Sequence, residues 1–151
     1  MTRIGITGGI GSGKTYICQL LKQRGIPVYN CDEEAKRLMT DSPFIRRELC
    51  GILGDKAYLN NTLNKNLIAQ YIFTDNNHAA RINAIVHPVV RQDFLRWAAL
   101  QDSPIVAQEC ALLFESGFQD SVDATIDVFA PLSLRIQRAA SASLSASPLR
   151  S

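Results

Sequence analysis

The chain has 151 residues, 46% of them hydrophobic and 20% charged, with 16 Lys and Arg against 14 Asp and Glu. That length suits one domain with room for a small inserted subdomain, and the composition excludes a disordered chain. A formal net charge of +2 is too small to point to nucleic acid, and no apolar run approaches the roughly 18 residues of a membrane span.

The first residues do not form a secretory signal, because the apolar Ile4-Gly5-Ile6 breaks at once into glycines. Residues 3–7 are expected as a short buried strand. Gly8 to Gly13 is too rich in glycine for regular structure, and a helix follows with Ile17, Leu20 and Leu21 at helical spacing and Gly25 as its stop. Residues 26–30 are expected as a second strand. Strand, loop, helix and strand in about 30 residues form a βαβ unit, so the two strands should lie parallel in one sheet.

From residue 32 to about 100 the pattern is nearly all helical. A helix is expected over 32–39, and another starts at Ser42-Pro43, with Ser at the N-cap and Pro at the first helical position. Residues 51–62, rich in Gly and Asn, are expected as a loop. Helices are expected over 66–73, 79–86 and 88–100. So much helix exceeds a single crossover and predicts an inserted subdomain. Strands return at 105–109 and 124–129, separated by a helical 112–118, and a last helix covers 132–140. The expected fold is α/β, an open parallel sheet with helices on both faces. The four cysteines (Cys18, Cys31, Cys50 and Cys110) show no CxxC pair and no zinc spacing. They are expected to be reduced, mostly buried thiols of a cytoplasmic protein.

Gly8-Gly9-Ile10-Gly11-Ser12-Gly13-Lys14-Thr15 matches G-x-x-x-x-G-K-[ST] at every fixed position. It follows a strand and opens a helix, the context that gives the pattern physical meaning. Glycines let several backbone N–H groups converge on one anion, and the helix adds its positive N-terminal end. Lys14 brings a full charge to the β- and γ-phosphates, and the Thr15 hydroxyl can ligate Mg2+. The residues expected to hold ATP are therefore Gly9, Gly11, Ser12, Gly13, Lys14, Thr15 and Tyr16.

Other residues leave alternatives open. Asp32, just past the second strand, can accept a proton from a hydroxyl or serve only as a helix cap. Glu109 ends an apolar strand and can assist the metal or simply face solvent. His87 and Arg91 lie one helical turn apart and can meet an anionic substrate, or can be a helix cap and a solvated charge. Arg138 can fold over phosphates or stay solvated.

Beyond the generic phosphate loop, the chain resembles the dephospho-coenzyme A kinase family over about residues 3–138. Its opening, Ile4 to Lys14, is similar almost residue for residue. Asp32 matches the second acid of a D-A-D motif, Ile85-Val86-His87-Pro88-Val89-Val90-Arg91 resembles I-x-H-P-x-x-R, and Leu112-Leu113-Phe114-Glu115 resembles P-L-L-F-E. The resemblance implies a P-loop NTPase fold of three layers, with a core of 1–31 and 101–138 and a helical acceptor-binding insertion of 32–100. It implies that ATP, with Mg2+, phosphorylates the ribose 3′-hydroxyl of dephospho-CoA in the last step of coenzyme A synthesis. Asp32, Lys14 and Arg138 are then the catalytic residues. Asp32, His87, Arg91 and Leu113 contact the acceptor, and Thr15 and Glu109 serve the metal. No nucleic acid or membrane partner is expected, and the oligomeric state is left open.

The chain also departs from that pattern. Asn30 replaces the first acid of D-A-D, Cys31 replaces the alanine between the two, Glu109 and Ala111 stand where Asp and Pro are usual, and Arg135 stands where Gln is usual. Residues 139–151 are a low-complexity run dominated by Ala and Ser, where relatives continue with a basic lid, a strand and a closing helix. A shortened or frameshifted relative with impaired turnover therefore stands as an alternative, as does another small-metabolite or nucleoside kinase.

Overall fold

The computed structural model describes residues 1–9, 11–111, 113, 116–131, 133, 134, 136, 137 and 140. They fall into two compact units, Met1–Asn30 with the described residues from Leu100 onward, and Cys31–Ala99.

The first unit is an α/β sheet. Strands β1 (Thr2–Thr7) and β2 (Val28–Asn30) flank β5 (Ile105–Glu109), and β6 (Ala124–Asp127) joins the other side of β1, in the order β2-β5-β1-β6. All three pairings are parallel. The first two strands thus share a sheet as expected, with β5 between them. Helix α1 (Lys14–Gln23) lies on the sheet face where Ile6, Cys18 and Ala107 form a buried cluster, backed by Ile4, Leu21, Val28 and Val128. The helix ends at Arg24 and Gly25, whose φ of 79° is the left-handed conformation that glycine adopts without steric cost. At Gly5 a Cβ would stand 2.9 Å from the Leu113 side chain and 3.2 Å from that of Val122.

The second unit is helical. Helix α2 (Cys31–Asp41) carries Asp32, Glu33 and Glu34 in its first turn, where negative charge complements the helix dipole. Arg37 on α2 donates to Asp93 at 2.7 Å, tying α2 to α5. Helix α3 (Pro43–Leu53) begins as predicted, with the Ser42 hydroxyl accepting from the Ile45 N–H at 3.3 Å. Helix α4 (Lys65–Thr74) is capped by Asn64.

Three expectations are corrected. Residues 51–62 are not a loop. They contain the end of α3, a 3-10 turn at Asp55–Ala57 and a hairpin of β3 (Tyr58–Leu59) and β4 (Thr62–Leu63). Asn60 and Asn61 adopt φ of 52° and 64°, the two left-handed residues of a tight hairpin turn, which asparagine tolerates. Arg46 lies over the Tyr58 ring at 4.4 Å, and the Tyr58 hydroxyl donates to the Met39 carbonyl.

The helices expected over 79–86 and 88–100 are one helix, α5 (His78–Ala99), with Pro88 inside. Proline removes one backbone hydrogen bond. The buried stripe Ile82, Val86, Val90, Phe94 and Ala98 nevertheless runs through it at intervals of one turn. Burying each such side chain stabilises by roughly 1.5–3 kcal/mol, so packing outweighs the lost bond.

The helix expected over 112–118 is also absent at its described positions. These are turn residues leading through Gly117, at φ 73°, into a 3-10 helix at Phe118–Ser121. Leu112, Phe114 and Glu115 lie outside the described residues, as do Leu132, Arg135, Arg138, Ala139 and 141–151; Ser133, Leu134, Ile136, Gln137 and Ala140 are helical. Among the described residues no helix is long and apolar enough to cross a membrane.

Candidate active site

The loop from Gly8 to Gly13 joins β1 to α1 at the carboxyl end of the sheet. Gly11 and Gly13 adopt φ of 75° and 100°, left-handed values that side chains rarely accept. The Ser12 N–H donates to the Gly9 carbonyl at 3.1 Å, and the Ile17 N–H donates to the Gly13 carbonyl at 3.0 Å as α1 starts. Gly13 caps α1 with no side-chain hydrogen bond, and the first turn holds no acid. A helix start without a capping side chain or a competing carboxylate is suited to an anion. Ser12 is buried and its hydroxyl lacks a hydrogen-bond partner among the described residues. Lys14 is half-buried, while Thr15 and Tyr16 are exposed.

Beside this loop stands Glu109. Its strand partner on β1 is Ile6 and its partner on β2 is Asn30, so the acid ends β5 level with the base of the loop. It is buried, 8% exposed, rather than facing solvent. The Asn30 amide donates to its Oε2 at 3.3 Å. Cys18, one turn into α1, is also buried. Burial first, and then the negative charge of Glu109, push its thiol up to about 12, so it stays protonated. None of the ion pairs among the described residues involves Glu109.

That environment fits a divalent metal of the Mg2+ type. Glu109 is a hard oxygen donor with no ion pair among the described residues, and Thr15 offers a hydroxyl. Among the described residues no group of three or more His, Cys, Asp or Glu is placed to cage an ion. Mg2+ is usually held by one or two protein oxygens, with phosphates and waters completing its octahedron.

In the helical unit, Asp32 is the second residue of α2 and is exposed. His87 and Arg91 lie one turn apart on α5. Burial, and next the Arg91 charge, hold the His87 pKa below its ordinary value of 6.5, so its ring is neutral at pH 7. The Arg91 Nε is a buried donor without a hydrogen-bond partner among the described residues. Sparing a buried donor in this way suits an anionic ligand.

Leu113 differs from its expected role. It is 0% exposed and packed where a Cβ on Gly5 would be, so its side chain has no surface to offer a ligand. Arg138 lies outside the described residues. The sequence singled out Asn30 as the residue replacing the first acid of D-A-D but not its bond to Glu109, which the register of β2 on β5 brings about.

A family model described as Dephospho-CoA kinase matches residues 2–147. A curated dephospho-CoA kinase of Bacteroides fragilis is 46% identical over 138 residues, 91% of this chain and 67% of the relative. One from Porphyromonas gingivalis is 42% identical over 139 residues, 92% of this chain and 69% of the relative. The chain thus spans about two thirds of the length of these relatives. A crystal structure of a Thermus thermophilus protein superposes with a TM-score of 0.78 at 33% identity, over 94% of this chain and 72% of that one.

Proposed function

The chain belongs to the dephospho-CoA kinase family, and from that membership we propose that it transfers the γ-phosphoryl group of ATP to the ribose 3′-hydroxyl of dephospho-CoA, the last step of coenzyme A synthesis. The observation that carries the proposal is the glycine loop, whose left-handed Gly11 and Gly13 open α1 without a capping side chain. In this reading the loop's backbone and Gly9, Gly11, Ser12, Gly13, Thr15 and Tyr16 surround the triphosphate. Lys14 neutralises charge on its β- and γ-phosphates.

Mg2+, when bound, draws charge from the phosphate oxygens, and Thr15 and Glu109 are the protein oxygens proposed to hold it. Asp32 is the proposed base. It takes the proton as the acceptor oxygen bonds to the γ-phosphorus and the bond to ADP breaks. His87 and Arg91 are proposed to hold the acceptor, with the unpaired Arg91 donor directed at one of its phosphates. Arg138 is assigned by the family resemblance to charge developing on the transferred group. The proposed location is the cytoplasm, where free thiols such as these stay reduced.

Incubating the protein with Mg2+, ATP and dephospho-CoA, and following coenzyme A by mass, tests the assignment. ATP binding in calorimetry without any dephospho-CoA binding overturns the acceptor. Faster turnover of a nucleoside or sugar points to another kinase of this fold.

A further inference from the structure

We propose that Asn30 is a positioning residue for the metal-assisting carboxylate of Glu109, acting as a neutral donor. The inference rests on the reading of Glu109 as a metal ligand. Asn30 and Glu109 are register partners at the carboxyl ends of adjacent parallel strands. The side chains of directly paired residues on neighbouring strands stand close together. Here the amide of one donates to Oε2 of the other at 3.3 Å.

A donor on the neighbouring strand restricts the rotamers of the carboxylate and brings no charge. A lysine or arginine at position 30 would form the ion pair in place of a metal. The neutral amide orients Glu109 and leaves its charge available. A buried carboxylate oriented this way, level with the base of the phosphate loop, is prepared before any cation arrives, and outer partners of this kind govern metal affinity.

Mn2+ serves as the probe. Its free signal in electron paramagnetic resonance is titrated against protein saturated with ATP, for the wild type and for Glu109→Gln, Asn30→Ala, Asn30→Ser and Asn30→Leu. ATP binding without metal is measured on each variant as a control for folding. Glu109→Gln is expected to weaken Mn2+ binding. Asn30→Ala is expected to weaken it on the order of tenfold with metal-free ATP affinity unchanged. Asn30→Ser, which keeps a donor, is expected to retain more affinity than Asn30→Ala.

If Glu109→Gln loses Mn2+ affinity and Asn30→Ala does not, the positioning role falls and the ligand reading stands. If Glu109→Gln binds Mn2+ as the wild type does, the ligand reading falls, and the positioning role with it. Should Asn30→Ala fail to bind metal-free ATP, Asn30→Leu, similar in volume but without a donor, decides: wild-type Mn2+ affinity in it overturns the proposal.

Discussion

The Ser12 hydroxyl stands 2.6 Å from the point that a Cβ on Gly8 would occupy, and the Val128 carbonyl stands equally close to it. The serine can rotate away. The carbonyl belongs to backbone held by the Val128 N–H bond to Thr7, 2.8 Å long, and has no such freedom. Gly8→Ala is therefore expected to destabilise the protein by roughly 1–3 kcal/mol and to weaken ATP binding by moving Ser12. Thermal melting and calorimetry check both. A variant with wild-type melting and wild-type ATP affinity contradicts the close approach.

Asp32 is exposed at the start of α2 and contributes little to packing. If it is the base, Asp32→Asn is expected to lower kcat by about 10²–10⁴, with ATP affinity and melting temperature nearly unchanged. Steady-state kinetics with a parallel ATP titration measure this, and full turnover in the variant removes Asp32 from the chemistry.

His87 binds its proton less tightly in the folded chain than in the unfolded one, because burial and then Arg91 disfavour the imidazolium. Unfolding therefore takes up a proton. The contribution of the neutral ring is present in full above the ordinary pKa of 6.5. It is lost as pH falls from there through the lower folded value. Urea melts of the wild type across that window are expected to show falling stability, and His87→Gln is expected to flatten part of the fall. A His87 ring that titrates above 6.5 by NMR contradicts the prediction.

Leu113 fills the space beside Gly5 and is 0% exposed. Leu113→Ala is expected to cost about 2–5 kcal/mol by leaving a cavity, while KM for the acceptor in the folded fraction is unchanged. A raised acceptor KM at unchanged stability returns Leu113 to the binding residues.

The phosphate loop was legible because its chemistry is local. A buried strand, glycines that permit left-handed backbone, and a helix opening on Lys14 are consecutive in the chain, and each needs only its neighbours. The start of α3 at Ser42-Pro43 was legible for the same reason, since a cap bonds to a residue three positions on. Pro88 misled because its local effect is to stop a helix. The buried stripe from Ile82 to Ala98 outweighs that effect, and a stripe pays off only when other elements cover it. The 112–118 segment misled likewise: Leu113 is apolar at helical spacing, yet it is drawn to the gap left by a glycine in β1.

By itself, then, the sequence determined the parallel α/β class, the anion-binding loop and the residue types available for phosphoryl transfer. Tertiary structure alone decided that Glu109 is buried rather than solvated and that the Asn30 amide donates to it. Those two residues lie on separate strands and far apart in the chain. Their meeting depends on strand register, which arises from the burial of the whole core and not from any short stretch of residues.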